Sequence, residues 1–481
     1  MIQEEEKRMK VEIRPFNEKD IPLKVEWIND SVNNKYLHYD LPLREDKTLD
    51  WFEKNKERTD RYDATIEADG IPVGLIGLLD IDRNNHKAEY YITIGNREFL
   101  GKGVAYRASR QLLEYAFGEI QLNKVVLYTE YDNVAAQKLF EKVGFKREGL
   151  IRKDIFYHGK YIDRYLYSIC KDDYLSGRET PIYLLDSNND NQIYVKRDDL
   201  FPFSFGGNKA RKGMLFWKDI KAKKVDYLVT YGSSSSNHCR IIANIAASEK
   251  IPCCIISPEE IAHETYNRKM MEMFGAKIVF CEVSKVHDTI EKIVSDLEMR
   301  GFNPYFIQGG GHGNLGTQAY VNCYEEIRRY EMKNNIFFDY IFLASGTGTT
   351  QAGLICGKMI FKDEREIVGI SVARKSPYGA NVVKESIRQY FGKEITSEIL
   401  RKNVIFEDSY VGLGYGQANT EIRELIFDVM KRYGMPLDST YTGKAFLGMK
   451  EYLLENNVRN KNILFLHTGG TPLYFDELDF K

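Results

Sequence analysis

Short apolar segments alternate with helical segments throughout the second half of this 481-residue chain. Strands that alternate with helices form a parallel sheet covered by helices on both faces, because each crossover helix packs back onto the sheet. Ligands bind at the carboxyl ends of such strands, so we expect the chemistry of this half to lie there. The predicted strands are Tyr227–Tyr231, Cys253–Ile256, Lys277–Phe280, Tyr340–Leu343, Ile367–Val372 and Ile463–Leu466.

Two of these strands run into turns that are rich in glycine and hydroxyl groups. One turn spans Gly232 to His238 and contains four consecutive serines, and the other spans Ser345 to Thr350. Such a turn directs backbone N–H groups and a helix N-terminus at an anion, most simply a phosphate. Earlier in the chain, Lys209 follows Gly206, Gly207 and Asn208. A lysine amine in such a tight turn can form a Schiff base with an aldehyde cofactor.

Together these segments resemble the tryptophan-synthase-like enzymes that use pyridoxal phosphate, and among them the D-cysteine desulfhydrase and 1-aminocyclopropane-1-carboxylate deaminase family. The resemblance covers about residues 178 to 481 and is carried by three motifs, which are Gly206–Lys209, Ser236–His238 and His467–Pro472. It implies a bilobed, doubly wound α/β fold similar to the tryptophan synthase β subunit. It also implies pyridoxal 5'-phosphate as cofactor and a small amino acid as substrate.

The resemblance implies a role for each motif residue. Lys209 is expected to hold the cofactor aldehyde and to move the α proton of the substrate. Lys212 is expected to reach the phosphate, and Asn237 to hydrogen-bond the phenolic oxygen. Ser236 is expected to bind the substrate carboxylate or to act as a nucleophile, and Tyr415 and Tyr441 match active-site tyrosines. The implied phosphate cup consists of Gly346, Thr347, Gly348, Thr349 and Thr350.

The partner of the pyridine nitrogen separates two reactions. A carboxylate keeps that nitrogen protonated, which suits carbanions that cannot expel a leaving group. Ring-opening deaminases carry a glutamate after the tyrosine that matches Tyr441, whereas this chain has Thr442 and offers Thr468 as a neutral partner. We therefore expect α,β-elimination from a small amino acid, with D-amino acids among the candidates, giving ammonia and a 2-oxo acid. The alternative is ring opening of aminocyclopropane carboxylate, with Ser236 or Tyr441 attacking.

The first 175 residues follow a different pattern. Glu89–Ile94 alternates like a strand and leads to a loop containing Gly101 and Gly103, after which a helical period places Ala105, Ala108, Leu112, Ala116, Phe117 and Ile120 on one face. This loop and the segment Asn133–Phe145 resemble the coenzyme A loop and following helix of the GNAT acetyltransferases. The resemblance spans about residues 11 to 170. It implies an α+β domain with a mixed central sheet, acetyl-CoA as co-substrate and an amine acceptor, with Gly101, Gly103 and Asn133 at the coenzyme.

Two positions depart from the GNAT pattern. Glu98 stands where glutamine or arginine is common, and Phe140 stands where a tyrosine often protonates the departing thiolate. A proton donor must then come from Tyr131 or from solvent, while Glu89 and Glu130 are either the general base or solvated strand residues. The alternative for this half is a module that binds its cofactor without turnover.

The composition excludes several other classes of function. A net charge of -2 with 29% charged residues does not indicate nucleic-acid binding, and no apolar run approaches the ~20 residues of a membrane span. Seven cysteines without metal-ligand spacing indicate reduced thiols and no metal site. We expect a cytoplasmic enzyme that forms a homo-oligomer, such as a dimer. The predicted domains are 1–175 for the GNAT part and 176–481 for the pyridoxal phosphate part.

Overall fold

The computed structural model describes residues 9–175, 179–188, 190–259, 265–392, 395–412, 414 and 419–478. The chain divides into two compact units, Met1–Arg178 and Glu179–Lys481.

The first unit is built on one mixed sheet. Its strands are β1 (Val11–Pro15), β2 (Tyr62–Ala68), β3 (Ile71–Asp82), β4 (Lys87–Ile94), β5 (Lys124–Glu130), β6 (Lys146–Tyr157) and β7 (Lys160–Cys170). Its helices are α1 (Ile21–Asn29), α2 (Glu45–Asn55), α3 (Val104–Gly118), α4 (Val134–Val143) and α5 (Lys171–Leu175). Within the described residues the strand order is β1-β2-β3-β4-β5-β7-β6, and β4 and β5 run parallel. The mixed sheet predicted for this unit is thereby confirmed.

The helix α3 buries one face against this sheet. Ala108, Leu112, Ala116 and Phe117 are buried as the helical period predicts. Ala105 is only half-buried, and Ile120 lies beyond the end of the helix but still packs against the same core. Each large apolar side chain buried here contributes roughly 1.5–3 kcal/mol.

The second unit contains two sheets. Its strands are β8 (Ile182–Asn188), β9 (Asn191–Arg197), β10 (Tyr227–Tyr231), β11 (Cys253–Pro258), β12 (Lys277–Cys281), β13 (Pro304–Ile307), β14 (Tyr340–Ser345), β15 (Glu366–Ser371), β16 (Ile405–Glu407) and β17 (Asn462–His467). In the described part of the chain, one sheet has the order β12-β11-β10-β13 and the other β16-β15-β14-β17-β9-β8. All pairs are parallel except β8 with β9. The predicted bilobed α/β fold is confirmed, with three of the six predicted strands in each sheet.

Helices cover both faces of these sheets. They are α6 (Gly207–Ala222), α7 (Asn237–Glu249), α8 (Tyr266–Met273), α9 (Val286–Met299), α10 (Asn314–Asn334), α11 (Thr349–Phe361), α12 (Tyr378–Phe391), α13 (Ser397–Asn403), α14 (Thr420–Tyr433), α15 (Thr442–Glu455) and α16 (Thr471–Leu478). Phe342 of β14 packs in one apolar cluster while its neighbours Ile341 and Leu343 pack in another. Burial on both faces explains why these strands are continuous apolar runs. Among the described residues, no helix is long and apolar enough to cross a membrane.

Candidate active site

A cavity of about 510 Å³ lies in the second unit where strands of both sheets end. Most of the residues that the motifs predict for a site line this cavity: Lys209, Ser236, Asn237, Gly346, Thr347, Gly348, Thr350, Tyr441 and Thr468. Lys212 and Thr349 are buried just outside its lining, and Tyr415 lies outside the described residues. Segments that are far apart in sequence therefore meet at one place.

The turn before Lys209 is fixed by its close approach to the end of β17. Gly207 has φ +89°, and a Cβ at this position would lie 2.8 Å from the carbonyl oxygen of Thr468. The backbone N–H of Asn208 donates to that same carbonyl at 2.9 Å, and its side-chain Nδ2 donates to Thr350 Oγ1 at 3.0 Å. Only glycine combines this backbone conformation with this proximity. The first turn of α6 is thereby held against both the β17 loop and the turn after β14.

Lys209 is half-buried in this first turn, and its Nζ donates to the carbonyl oxygen of Gly310 at 3.0 Å. Burial lowers the pKa of Lys209 to about 8, because the cavity solvates the ammonium form poorly. A lysine with such a pKa has a substantial neutral fraction near neutral pH. That fraction is the form that attacks an aldehyde and accepts a proton.

Lys212 lies one helical turn further along α6 and is buried, with 1% of its surface exposed. Its Nζ has no hydrogen-bond partner among the described residues. Burial, with the neighbouring charge of Lys209, holds the pKa of Lys212 well below its ordinary value. Charging this buried amine without a partner is costly, and an anion placed here would offset that cost. The phosphate of pyridoxal phosphate is such an anion.

The turn between β14 and α11 supplies further groups for an anion. Gly348 precedes the helix with φ +83° and no side chain caps the helix. The first N–H groups of a helix have no partner within it, and the helix dipole favours negative charge there. Thr349 Oγ1 is hydrogen-bonded to His312 Nδ1 at 2.9 Å, which fixes that hydroxyl. The arrangement suits the phosphate cup that the sequence predicts.

Ser236 and Asn237 begin α7 on another wall of the cavity. Ser236 Oγ accepts a hydrogen bond from the backbone N–H of Cys239 at 3.3 Å, so its hydroxyl proton remains available as a donor. Asn237 Oδ1 accepts from Asn267 Nδ2 at 3.0 Å, which orients the amide. Asn267 was missed by sequence reasoning, since it lies on α8, thirty residues further on. Ser233 and Ser236 line the cavity, and Ser235 is not among the lining residues.

Tyr441 and its neighbour Thr442 have different surroundings. Tyr441 lines the cavity, whereas Thr442 is fully buried and its hydroxyl donates to Asp438 Oδ2 at 2.7 Å. Three backbone N–H groups, those of residues 440 to 442, also donate to this carboxylate. Burial nevertheless raises the pKa of Asp438 to about 6. Thr442 therefore belongs to the support of Tyr441 and not to the cavity wall, where Thr468 is the threonine of the β17 loop.

A buried ion network holds α6 in place. Arg211 Nε and Nη2 donate to Asp198 at 2.9 and 2.8 Å, and Arg211 Nη1 donates to Glu326 at 2.5 Å. Lys196 Nζ donates to the same Glu326 at 2.7 Å. These contacts give a structural function to Lys196 and Asp198, which lie in the charged segment 196–199 before the turn that holds Lys209. Glu326, on α10, had no signal in the sequence.

Gln351 and Arg374 are two of the cavity-lining residues that the sequence did not predict. Gln351 is fully buried and accepts from Ser345 Oγ at 2.9 Å. Arg374 follows β15 and lines the wall. Arg374 could have been found by the rule that placed the other motifs, because it stands at the carboxyl end of a predicted strand. Among the described residues, no group of three or more His, Cys, Asp or Glu side chains is placed to hold a metal ion.

The first unit has a separate candidate site where β4 and β5 diverge. The two strands pair only from Lys87 to Glu89 and from Lys124 to Val126, after which their backbones separate. Gly101 and Gly103, with φ +73° and +74°, precede α3 and are exposed. Such a gap and an open helix N-terminus can hold an extended ligand with a pyrophosphate. Within the described residues, nothing would contact a Cβ on either glycine.

The other predicted coenzyme residue is Asn133. It caps α4, with its Oδ1 accepting from the N–H of Ala136 at 3.2 Å, which orients its amide N–H groups. Phe140 is buried and packs edge-on against Tyr90. The position therefore serves the core and supplies no proton, while Tyr131 is exposed.

The two candidate bases of this unit differ in their surroundings. Burial raises the pKa of Glu89, which lies at the point of divergence. Glu130 Oε1 lies within hydrogen-bond distance of His38 Nε2, at 2.8 Å. His38 is thus in hydrogen-bond contact with a strand-end carboxylate.

Comparisons with known proteins agree with this geometry. The pyridoxal-phosphate dependent enzyme family matches residues 174–469, and the acetyltransferase (GNAT) domain matches residues 10–146. The D-cysteine desulfhydrase of Serratia proteamaculans (strain 568) is 33% identical over 314 residues, covering 63% of this chain and 94% of the relative. That of Yersinia enterocolitica is 32% identical over 314 residues, with the same coverage of both chains. The crystal structure of an ACC deaminase homologue is 30% identical with a TM-score of 0.54, covering 63% of this chain and 92% of that one. Both resemblances predicted from the motifs are confirmed.

Proposed function

We infer the reaction from one premise: this chain belongs to the family of pyridoxal-phosphate dependent enzymes, and it carries a GNAT acetyltransferase domain in front. We propose that the second unit catalyses α,β-elimination from a small amino acid. The relatives named D-cysteine desulfhydrase make D-cysteine the first substrate to test. Its products would be pyruvate, ammonia and hydrogen sulfide, with one water consumed.

The chain's own residues would divide the work as follows. Lys209 would bind the cofactor aldehyde and then move the α proton at its Nζ. Lys212 and the first N–H groups of α11 would hold the phosphate, and Asn237 the phenolic oxygen. The Ser236 hydroxyl would donate a hydrogen bond to the substrate carboxylate. The cofactor, when bound, supplies an electron sink for the substrate α carbon.

The observation that carries the proposal is the chemistry of the cavity wall. None of the described residues that line the cavity is an aspartate or a glutamate. In this proposal Thr468, a neutral residue of the lining, would meet the pyridine nitrogen, and a neutral partner leaves the ring a weaker electron sink. Elimination tolerates this because the leaving group takes the electrons away. Ring opening of aminocyclopropane carboxylate, the alternative, has no leaving group and gains most from a carboxylate.

The test is release of 2-oxo acid by the purified holoenzyme. We expect pyruvate from D-cysteine and β-chloro-D-alanine, and little from L-cysteine or, as 2-oxobutyrate, from aminocyclopropane carboxylate. Lys209→Ala should abolish both the turnover and the visible absorbance of the bound cofactor. Faster release of 2-oxobutyrate than of pyruvate would favour ring opening instead, and a Lys209→Ala protein that keeps its absorbance and activity would contradict the assignment.

For the first unit, we propose transfer of an acetyl group from acetyl-CoA to an amine. The gap between β4 and β5 and the open amides after Gly103 support coenzyme binding, and the raised pKa of Glu89 supports its role as base. Thermal stabilisation by coenzyme A tests binding, and acetyl-CoA consumption with amino acids, amino sugars and polyamines tests turnover. Stabilisation without consumption would favour the alternative of a binding module.

Three further proposals concern the whole chain. We propose domains at 1–175 and 176–481, a cytoplasmic location and a homodimer without a nucleic-acid or membrane partner. Limited proteolysis tests the domain boundary, and light scattering during size-exclusion chromatography tests the dimer.

A further inference from the structure

Arg374 occupies a fixed position on the wall of the proposed active site. Its carbonyl oxygen accepts a hydrogen bond from Ser371 Oγ at 2.6 Å. Gly379, in the first turn of α12, approaches so closely that a Cβ there would lie 3.1 Å from the Cβ of Arg374. The backbone of Arg374 is therefore held by the end of β15 on one side and by α12 on the other.

Among the described residues, the guanidinium of Arg374 has no anionic partner. Its Nη1 is shielded from solvent and has no hydrogen-bond partner among the described residues. Its Cζ lies 5.3 Å from the ring centre of the exposed Tyr378. This ring makes a cation–π contact with the guanidinium, which is not a hydrogen bond to its N–H groups. A guanidinium presents five N–H donors, and leaving a shielded donor unpaired is costly. The group is therefore ready to bind an anion.

Arg374 lies where two cavities meet. A second cavity of about 250 Å³ shares Gln308, Gly309, Thr347 and Arg374 with the active-site cavity. The carboxylate of this second cavity belongs to the exposed Glu385, which lies 3.6 Å from Arg388 on the same helix. Glu385 forms no ion pair with Arg374 among the contacts of the described residues. The second cavity thus provides space next to a cation that has no ion-pair partner among the described residues.

We propose that Arg374 binds an oxyanion on the side chain of the substrate, so that the preferred amino acids carry a phosphate, sulfate or carboxylate beyond Cβ. This proposal rests on the proposed elimination at the same site and specifies its substrate class. For an ester such as O-phospho-D-serine, the Cα–H and Cβ–O bonds break and Lys209 takes the proton. Phosphate leaves with the bonding electron pair, and one water converts the released enamine into pyruvate and ammonia. Arg374 neutralises the charge on the leaving oxyanion.

The experiment compares specificity within matched pairs. The holoenzyme is assayed for pyruvate release from O-phospho-D-serine and β-chloro-D-alanine, and the ratio of the two kcat/KM values is measured. Arg374→Gln should lower this ratio roughly 10- to 100-fold, as expected for the loss of hydrogen bonds to a charged group. Arg374→Lys should restore part of it. The control is Lys375→Gln, which removes the same charge from the next residue, an exposed lysine whose Nζ contacts the carbonyl of Asp408.

Calorimetric binding of D-glutamate and D-glutamine to the holoenzyme gives a second readout. These ligands differ only in the side-chain charge and have no leaving group, so this arm tests Arg374 even if elimination itself fails. Wild-type preference for D-glutamate that Arg374→Gln removes and Lys375→Gln keeps would support the proposal. Equal effects of the two variants would show a general charge effect and overturn it. Weaker cofactor retention by Arg374→Gln, with the ratio unchanged, would assign the arginine to the cofactor and also overturn it.

Discussion

Replacement of Lys212 by methionine should stabilise the cofactor-free protein and weaken cofactor binding at the same time. Methionine keeps an unbranched side chain of similar size and removes the charge. Lys212 is buried with no hydrogen-bond partner among the described residues, and its amine faces the ring of Tyr320 at 5.9 Å. Without an anion, the charge is a cost to the folded state. With the phosphate bound, the same charge is a source of affinity.

The magnitudes follow from these surroundings. Replacing a buried ion pair by apolar residues of similar volume is often neutral or stabilising by about 1–4 kcal/mol, and we expect a stabilisation of the same order for this buried amine without a partner. Loss of a hydrogen bond to a charged group costs about 1.5–3 kcal/mol, so cofactor affinity should fall roughly 10- to 150-fold. Lys218→Met, at an exposed position of the same helix, is the control and should change neither quantity much.

The pH dependence of the stability of the cofactor-free protein is an independent check that the buried lysine charges are unfavourable. Burial lowers the pKa of Lys212 well below that of an unfolded lysine, about 10.4, and the pKa of Lys209 to about 8. Between the folded and unfolded pKa values the unfolded chain binds more protons, so the stability of the cofactor-free protein should rise with pH. For Lys209 this window runs from about 8 to about 10.4. The rise of the free energy of unfolding with pH should be smaller in Lys212→Met than in the wild type.

The assay is thermal and urea unfolding of the cofactor-free protein, followed through the transition of the second unit, with a cofactor titration alongside. A Lys212→Met protein that is less stable than wild type without cofactor would refute the reasoning, because it would show that the ammonium has a favourable partner in the empty site. Unchanged cofactor affinity would refute the phosphate role.

Three further outcomes are expected. Thr442→Glu should destabilise the second unit at neutral pH, since it places a carboxylate beside the buried Asp438. The loss of stability should become smaller below the pKa of Asp438, about 6. Greater ring-opening activity in a stable variant would contradict this. Gly103→Ala should cost about 1–2 kcal/mol at φ +74° and reduce the thermal shift produced by coenzyme A. Glu89→Gln should lower the kcat of acetyl transfer by roughly 10²- to 10⁴-fold with coenzyme A binding retained, and an equal kcat would exclude Glu89 as base.

The sequence was most informative where function depends on a continuous segment. A strand, a glycine turn and a helix start are encoded within about ten residues, and this is why Lys209, Ser236, Asn237 and the turn from Gly346 to Thr350 could be named beforehand. Their position around one cavity follows from the rule for strand ends in α/β sheets. Their chemical roles stay predictions.

Contacts between distant segments could not be predicted in this way. Glu326 lies 130 residues from its partner Lys196, and nothing near it in sequence indicates a buried anion. Local patterns also permit more than one function, as Asn133 shows, because an asparagine suited to a ligand is equally suited to cap a helix. The partner of Thr442 is Asp438, four residues earlier, yet only the structure shows that the hydroxyl turns away from the cavity wall.

Charge balance connects the cofactor with the substrate class. The described residues around the active-site cavity contribute three buried or half-buried cations, Lys209, Lys212 and Arg374, and no carboxylate in its lining. The cofactor phosphate can neutralise Lys212, and in the proposed reaction Lys209 is a neutral amine before it accepts the α proton. The substrate's α-carboxylate faces the donor of Ser236 in the proposed arrangement. Arg374 is then the cation that remains, so a second anionic group on the substrate balances the charge of the occupied site.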